Sequence, residues 1–273
     1  MHELPLIAFT LLLQGSVGLT LWLTFIHRQA VAEGSPRQVM LPSLMFAFLA
    51  AALGLIISTL HLGYPLNALH ALRHFSGSWL SREIIFASLY LVALGLSTLL
   101  VLVRKSGWQV LLILAAVIGV VDVFCMAQIY MHTAVSTWQH FNTLVMFGGS
   151  VGILGAVFIS ALRVSGLLTP LANMWRWVTL IVALLVLARL LVQPLWLSDI
   201  ASLGAQAVTL PHTPLAMLET LQTFMTISWV VCVVGMLCFI FGYCKKANSA
   251  IVAGSVLLVV AEIMLRFVFF RIG

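Results

Sequence analysis

Two residues with proton-transfer chemistry flank a polar stretch of this otherwise apolar chain. His61 ends one apolar run and Glu83 begins the next. An imidazole titrates near neutral pH, and burial can move a carboxyl group towards the same range. Such groups at a lipid–water boundary are suited to receiving protons from an amphiphile with an apolar tail and a redox-active head group. A quinol fits this description, so the pair predicts a quinol site.

Four further charged residues lie inside the apolar runs: Asp122, Arg189, Glu262 and Arg266. Charged residues within a membrane span are costly and mark functional sites by default. At about 1.5 Å of rise per residue, each lies about 20–26 Å from the cytoplasmic end of its span. The hydrocarbon core is about 30 Å thick, so we expect all four in the outer half of the membrane. They would then share one level with His61 and Glu83.

These charged residues also admit structural interpretations. Glu262 and Arg266 are four residues apart and could pair on one helix face. Asp122 and Arg189 could pair across helices, or with backbone carbonyls. Glu83 follows Ser81, a possible N-cap, so the helix dipole alone would favour a carboxylate in that first turn.

The composition predicts a membrane protein. The chain has 273 residues, of which 63% are hydrophobic and only 7% are charged, whereas soluble domains carry about 25% charged residues. A net charge of +6 raises the possibility of nucleic-acid binding. The basic residues are scattered at the ends of apolar runs, however, and form no basic stripe, which excludes that function.

Eight apolar runs have the length of about 20 residues that a membrane helix needs. They predict an all-α bundle that forms one transmembrane domain over residues 1–273. The predicted spans are 4–26, 39–61, 82–103, 108–131, 140–162, 176–193, 219–243 and 249–270. The longest predicted connector is 194–218, which contains Pro194, Pro211 and Pro214.

The distribution of Lys and Arg predicts the orientation of the spans. The loops on one side carry Arg28, Arg37, Arg104, Lys105, Arg163, Arg176, Lys245 and Lys246. The other side carries Arg73, Arg82 and Arg271. Because cytoplasmic loops are enriched in basic residues, we expect both termini and the 61–83 stretch to be periplasmic in a bacterial inner membrane.

The cysteine and histidine positions predict a protein without metal, haem or an iron–sulfur cluster. The four cysteines form no CxxC pair or His/Cys cluster, as such sites require. No histidine lies at mid-span, where facing haem ligands would be expected. A quinol-oxidising subunit of this kind needs a partner that holds the first electron acceptor.

Three segments of the sequence resemble the DmsC-like membrane-anchor subunits of bacterial dimethyl sulfoxide reductase. The first is HELPL at the start, followed by Phe9 and Thr10. The second, and the most specific, runs from SxLHLGxP at 58–65 to LSxEI at 80–84. The third is AEIxxRxVF at 261–269.

The resemblance implies eight spans, no haem, and the binding and oxidation of menaquinol. It also implies two partners, an iron–sulfur electron-transfer subunit and a molybdopterin catalytic subunit. His61 and Glu83 match the family's functional histidine and glutamate, with Glu83 tied to quinol binding. Glu262 and Arg266 match further family positions and are candidate cofactor-binding residues. The loops at 70–79 and 194–218 depart from the family pattern, so the terminal electron acceptor is left open.

A proton-coupled transporter is the alternative function, because eight spans with buried charges are compatible with it. Such a protein would show inverted repeats with broken helices and a binding site near the membrane midplane. The sequence has no convincing repeat, and its charges lie off-centre. An assembly protein without a redox role is a third possibility.

Overall fold

A computed structural model describes residues 4–33, 36–60, 75–168, 174–203 and 214–272. Within these ranges the protein forms α-helices and no strand. The helices are α1 (Leu4–Glu33), α2 (Pro36–Val39), α3 (Leu41–Leu60), α4 (Trp79–Leu102), α5 (Trp108–Met131), α6 (Asn142–Val164), α7 (Met174–Leu203), α8 (Pro214–Lys245) and α9 (Asn248–Ile272). A short 3₁₀ turn, Ser136–Trp138, precedes α6.

All of these helices except α2 are long and apolar enough to cross a membrane. Their candidate spans measure 19 to 30 residues, which matches the thickness of the hydrocarbon core. The prediction of an all-α protein with eight spans is therefore confirmed for the described part of the sequence. The periplasmic placement of the termini and the one-domain organisation stay predictions.

The first helix is the centre of the bundle. Other helices bury 72% of the most apolar stretch of α1, against 22% for α7. Helix α1 packs on α3, α5 and α6, and α6 approaches it most closely at Gly18 and Gly155. A β-carbon at either glycine would overlap the backbone of the other helix, so small residues permit this crossing, as is usual between membrane helices.

The connector predicted at 194–218 is wrong at both of its ends, because α7 and α8 extend into it. The helix continues through Pro194 to Leu203, and α8 already begins at Pro214. Proline normally ends a helix because it lacks an N–H donor and clashes with the preceding turn. Here tertiary contacts hold the extension: the Trp196 indole donates to the Thr137 carbonyl at 3.0 Å. The side chains of Trp196 and Ile200 are buried against α8 and α9.

Candidate functional site

Glu83 and Asp122, which we call the acidic pair, lie on neighbouring helices. Glu83 is in the second turn of α4, and Asp122 is on α5, which packs along α4. The exposed fraction of the residue is 6% for Glu83 and 0% for Asp122. The Asp122 carboxyl group lies against the backbone of Ala87, one turn further along α4, and within electrostatic range of Glu83.

The start of α4 differs from the prediction. Ser78, not Ser81, is the N-cap, and its hydroxyl accepts a bond from the Ser81 N–H at 3.4 Å. Ser81 is instead buried within the first turn. Glu83 thus lies beyond the residues that benefit most from the positive end of the helix dipole. The dipole interpretation of Glu83 is correspondingly weakened.

The acidic pair has no neutralising cation among the described side chains. Both oxygens of Asp122 are buried without a hydrogen-bond partner in the described ranges. The adjacent Arg82 points outward, donating to the carbonyls of Phe75 and Ser76 at 3.0 and 2.6 Å. Burying an unpaired charge is costly, and a second like charge nearby increases that cost. The acidic pair is therefore costly to bury as the structure holds it.

His61, the predicted partner of Glu83, lies outside the described residues. A different imidazole is found at the end of the α4–α5 hairpin where Glu83 lies. His132 packs on Trp79 with 5.5 Å between ring centroids, and its Nδ1 is 3.0 Å from the Gln128 carbonyl oxygen. Nothing in the sequence singles out His132, because a histidine after the last turn of a helix carries no distinctive pattern.

A second group of buried polar residues joins four helices. We call it the arginine network, and its members are Gln14, Ser150, Arg189, Glu262 and Arg266. Each is at most 2% exposed. Arg189 forms an ion pair with Glu262, and its Nη2 donates to the Met146 carbonyl at 2.5 Å and to Ser150 at 2.9 Å.

Arg266 completes the network from α9. Its Nη2 donates to the Gln14 side-chain oxygen at 2.7 Å and to Ser150 at 3.0 Å. Its guanidinium carbon lies 4.0 Å from the centroid of the Phe147 ring, a favourable cation–π geometry. The Ser150 hydroxyl also donates to Glu262 at 2.6 Å. Ser150 is thus the common neighbour of all three charged groups.

The structure shows which of the possible pairings of the charged residues form. Among the described residues, Glu262 pairs with Arg189 from α7 and makes no ion pair with Arg266 on its own helix. Arg189 does pair across helices and with the Met146 backbone carbonyl, but Asp122 is not its partner. Spacing along one helix indicates which residues share a face, but it does not indicate what the facing helices present. The whole bundle decides the partners.

Tyr130 lies between the two groups. It is within electrostatic range of both Glu83 and Arg266. Its ring contacts Trp138, Phe147 and Phe269, with centroid distances of 5.2 to 5.5 Å. The signal in the sequence that could identify Tyr130 is its place in the last turn of a span, where tyrosine is common at the membrane interface.

An apolar groove of about 300 Å³ runs between α5 and α6. Its lining includes Val123, Phe124, Ala127, Leu144, Phe147 and Gly148. A β-carbon at Gly148 would meet no atom within 4 Å, so this glycine leaves the wall open. Phe147 also contacts Arg266, so the groove brings apolar surface close to the arginine network.

Within the described ranges, no three His, Cys, Asp or Glu side chains are grouped so as to hold a metal ion. The expectations of no metal, no haem and no iron–sulfur cluster stay predictions. The chemistry that these residues offer is proton exchange by carboxyl groups and orientation by hydrogen bonds.

Eight apolar helices with charged groups buried between them define a multi-pass membrane protein. The family model described as "DMSO reductase anchor subunit (DmsC)" matches residues 1–272. The protein belongs to this family, which confirms the resemblance seen in its sequence. No solved structure matches it.

Three curated relatives are similar to this protein, and all are subunits of anaerobic dimethyl sulfoxide reductases. The YnfH subunit of Escherichia coli is 32% identical over 217 residues, which make up 77% of this sequence and 74% of the relative. The C subunit of Haemophilus influenzae is 31% identical over 59% of this sequence and 58% of the relative. The C subunit of Escherichia coli is 32% identical over 60% of each. The match thus spans less than two thirds of both C subunits.

Proposed function

We propose that this protein anchors a dimethyl sulfoxide reductase-type complex in the bacterial inner membrane and oxidises menaquinol near the periplasmic face. Its partners would be an iron–sulfur electron-transfer subunit and a molybdopterin catalytic subunit. The observation that carries the proposal is the acidic pair, two buried carboxyl groups without a cation among the described side chains, in a member of the anchor-subunit family.

In the proposed reaction, the two O–H bonds of the quinol head group break as the ring is oxidised to the quinone. Two electrons pass to the iron–sulfur subunit, and the two protons leave through residues of the anchor. Glu83 and His61 are the proposed acceptors, and the carboxylate form of Glu83 takes the first proton. Asp122, held beside Glu83 in a water-poor setting, supplies a second site that can hold or pass on a proton.

The arginine network has a supporting role in this proposal. Arg266 leaves its Nη1 without a partner among the described residues, so one donor is available to a head-group oxygen. Glu262 is occupied by Arg189 and Ser150, and it fixes the position of Arg189 within the network. The apolar groove between α5 and α6 is suited to an isoprenoid tail, because its lining is apolar and one wall is the open Gly148.

The proposed role of Glu83 can be tested with Glu83→Gln in the complete complex. We expect reduction of a sulfoxide by a menaquinol analogue to be lost. Reduction driven by a viologen dye, which delivers electrons to the soluble subunits directly, should be retained. Glu219→Gln is the matched control, because Glu219 is an exposed carboxylate on α8 and its loss should change neither rate. Normal quinol-driven rates in Glu83→Gln would refute the assignment.

Co-purification separates this proposal from a transporter. An anchor extracted in mild detergent should retain two soluble subunits, whereas a proton-coupled transporter would be isolated without them. The anchor-subunit family favours the first outcome.

A further inference from the structure

A basic groove opens at the end of the α4–α5 hairpin opposite to Glu83. Its volume is about 440 Å³. We define it by Arg37 from α2, by Arg104, Lys105 and Ser106 from the α4–α5 turn, and by an apolar floor of Val101 and Trp108. The cations thus come from two segments that are distant in the sequence and meet around one cavity.

The three cations of the basic groove are available to a ligand. All three are exposed, and no acidic side chain in the described ranges forms an ion pair with any of them. The turn is tightly constrained: Arg104 has a φ of 57°, and the Lys105 N–H donates to the Leu100 carbonyl at 2.8 Å. Its backbone therefore holds two adjacent cations at the rim of the groove.

The floor of the groove is apolar and buried. Val101 and Trp108 are 2% and 3% exposed, and the Ser97 hydroxyl donates to the Trp108 carbonyl at 2.9 Å. Helix α5 begins at this wall, and its N-cap, Gly107, provides no side-chain hydrogen bond to the first N–H groups. Those N–H groups add to the positive potential that the three cations create.

The helix surfaces beside the groove are apolar and exposed, as is typical of helices that face lipid. The outward faces of α4 and α5 adjoining the groove expose Leu99, Leu102, Val103, Val110, Ile113 and Val117. A small anion would leave this apolar surface unused. A phospholipid would use both features, since its phosphate would meet the cations and its acyl chains would cover the apolar faces.

We propose that the basic groove binds the phosphate head group of an anionic phospholipid, with its acyl chains along α4 and α5. Basic pockets between membrane helices are suited to such head groups, and arginine adds directional bonds to phosphate oxygens. The positive-inside pattern predicts that the lipid belongs to the cytoplasmic leaflet. This inference does not depend on the proposed quinol chemistry.

The double variant Arg104→Gln/Lys105→Gln tests the proposal in the full-length protein, extracted with the subunits that accompany it. Lys245→Gln/Lys246→Gln is the matched control. It removes two adjacent cations from another helix–helix turn, and Lys246 has a φ of 55°, close to that of Arg104. Native mass spectrometry would count retained phospholipids, and thermal unfolding would be followed during additions of cardiolipin, phosphatidylglycerol, phosphatidylethanolamine or inorganic phosphate.

We expect the groove variant to lose about one tightly held anionic phospholipid per protomer and to bind added cardiolipin or phosphatidylglycerol about tenfold more weakly. The control should behave like the wild type, and phosphatidylethanolamine should stabilise neither selectively. Equal losses in both double variants would show general attraction to basic loops and overturn the proposal. Equal stabilisation by inorganic phosphate would also overturn it, because the ligand would then be a small anion.

A variant on the other wall of the groove keeps the proposal testable if the turn variant misfolds. If the groove double variant unfolds without lipid at a lower temperature than the control, Arg37→Gln replaces it, since Arg37 lies on α2 outside the turn. Weaker anionic-lipid binding in Arg37→Gln supports the proposal, and unchanged binding contradicts it.

Discussion

The acidic pair and the arginine network are both buried and charged, yet they differ in how their polar atoms are satisfied. In the network, Ser150 bonds to both guanidinium groups and to the Glu262 carboxylate, and Gln14 accepts a bond from Arg266. In the acidic pair, the Asp122 oxygens have no partner in the described ranges. A connected network stabilises one packing of the helices. An unconnected acid is costly to the fold, which is typical of a residue retained for chemistry.

Among the variants that test this comparison, Arg189→Met is expected to have the largest effect on stability. Loss of Arg189 leaves Glu262 as a buried carboxylate without its ion-pair partner, which should cost about 3–5 kcal/mol of stability. Thermal unfolding of the purified protein and its amount in the membrane would measure the loss. Arg189→Met/Glu262→Met removes both charges and should recover part of it. If the single variant were as stable as the wild type, the network would not have the structural role assigned to it.

Asp122→Asn should show the opposite pattern. The amide is nearly the same size as the neutral acid, so the free energy of unfolding should change by less than about 1 kcal/mol. Quinol-driven sulfoxide reduction should fall about tenfold or more, since an amide cannot carry a proton in place of the carboxyl group. Dye-driven reduction serves as the internal control. A large loss of stability with normal turnover in Asp122→Asn would mean that the acidic pair has a structural role and no role in proton transfer.

Two adjacent glycines provide a finer test of how tightly the arginine network is packed. A methyl group at Gly149 would overlap the Arg189 side chain, whereas one at Gly148 would meet nothing within 4 Å. Gly149→Ala should therefore destabilise the protein by about 1–3 kcal/mol. Gly148→Ala should remain within about 0.5 kcal/mol of the wild type. Unfolding temperatures of the two variants, measured side by side, test whether Arg189 is held as tightly as the structure indicates.

The smallest expected effect concerns the helix that positions Glu83. Ser78→Ala removes the N-cap hydroxyl of α4 and should cost about 1 kcal/mol. Menaquinol turnover should fall modestly, because the first turns of α4 would fray more often. Thermal unfolding together with the KM for a quinol analogue would detect the change. No effect on either quantity would mean that tertiary contacts alone fix the start of α4.

The spans could be predicted from the sequence because the thickness of a bilayer imposes a length on every apolar run. The end of α7 could not, since the helix crosses Pro194 only by virtue of contacts such as that between Trp196 and Thr137. The motif around Glu83 identifies it as a candidate site residue. Asp122 stands out in the sequence because it is a charged residue within an apolar run. That Glu262 pairs with Arg189 depends on how α7 and α9 each pack against α6 and α8, which no local pattern records.

The central position of α1 has a consequence for biogenesis. Its Gln14 bonds to Arg266, 252 positions later in the sequence, and its Ser16 and Thr20 bond to Tyr90 at 2.7 and 2.9 Å. Helix α1 leaves the ribosome well before α9, so Gln14 acquires this partner only when α9 has entered the bilayer. Until then, a chaperone, the insertion machinery or trapped water must shield the amide of Gln14, and nascent polypeptides that stop before α9 should be preferred targets of membrane proteolysis.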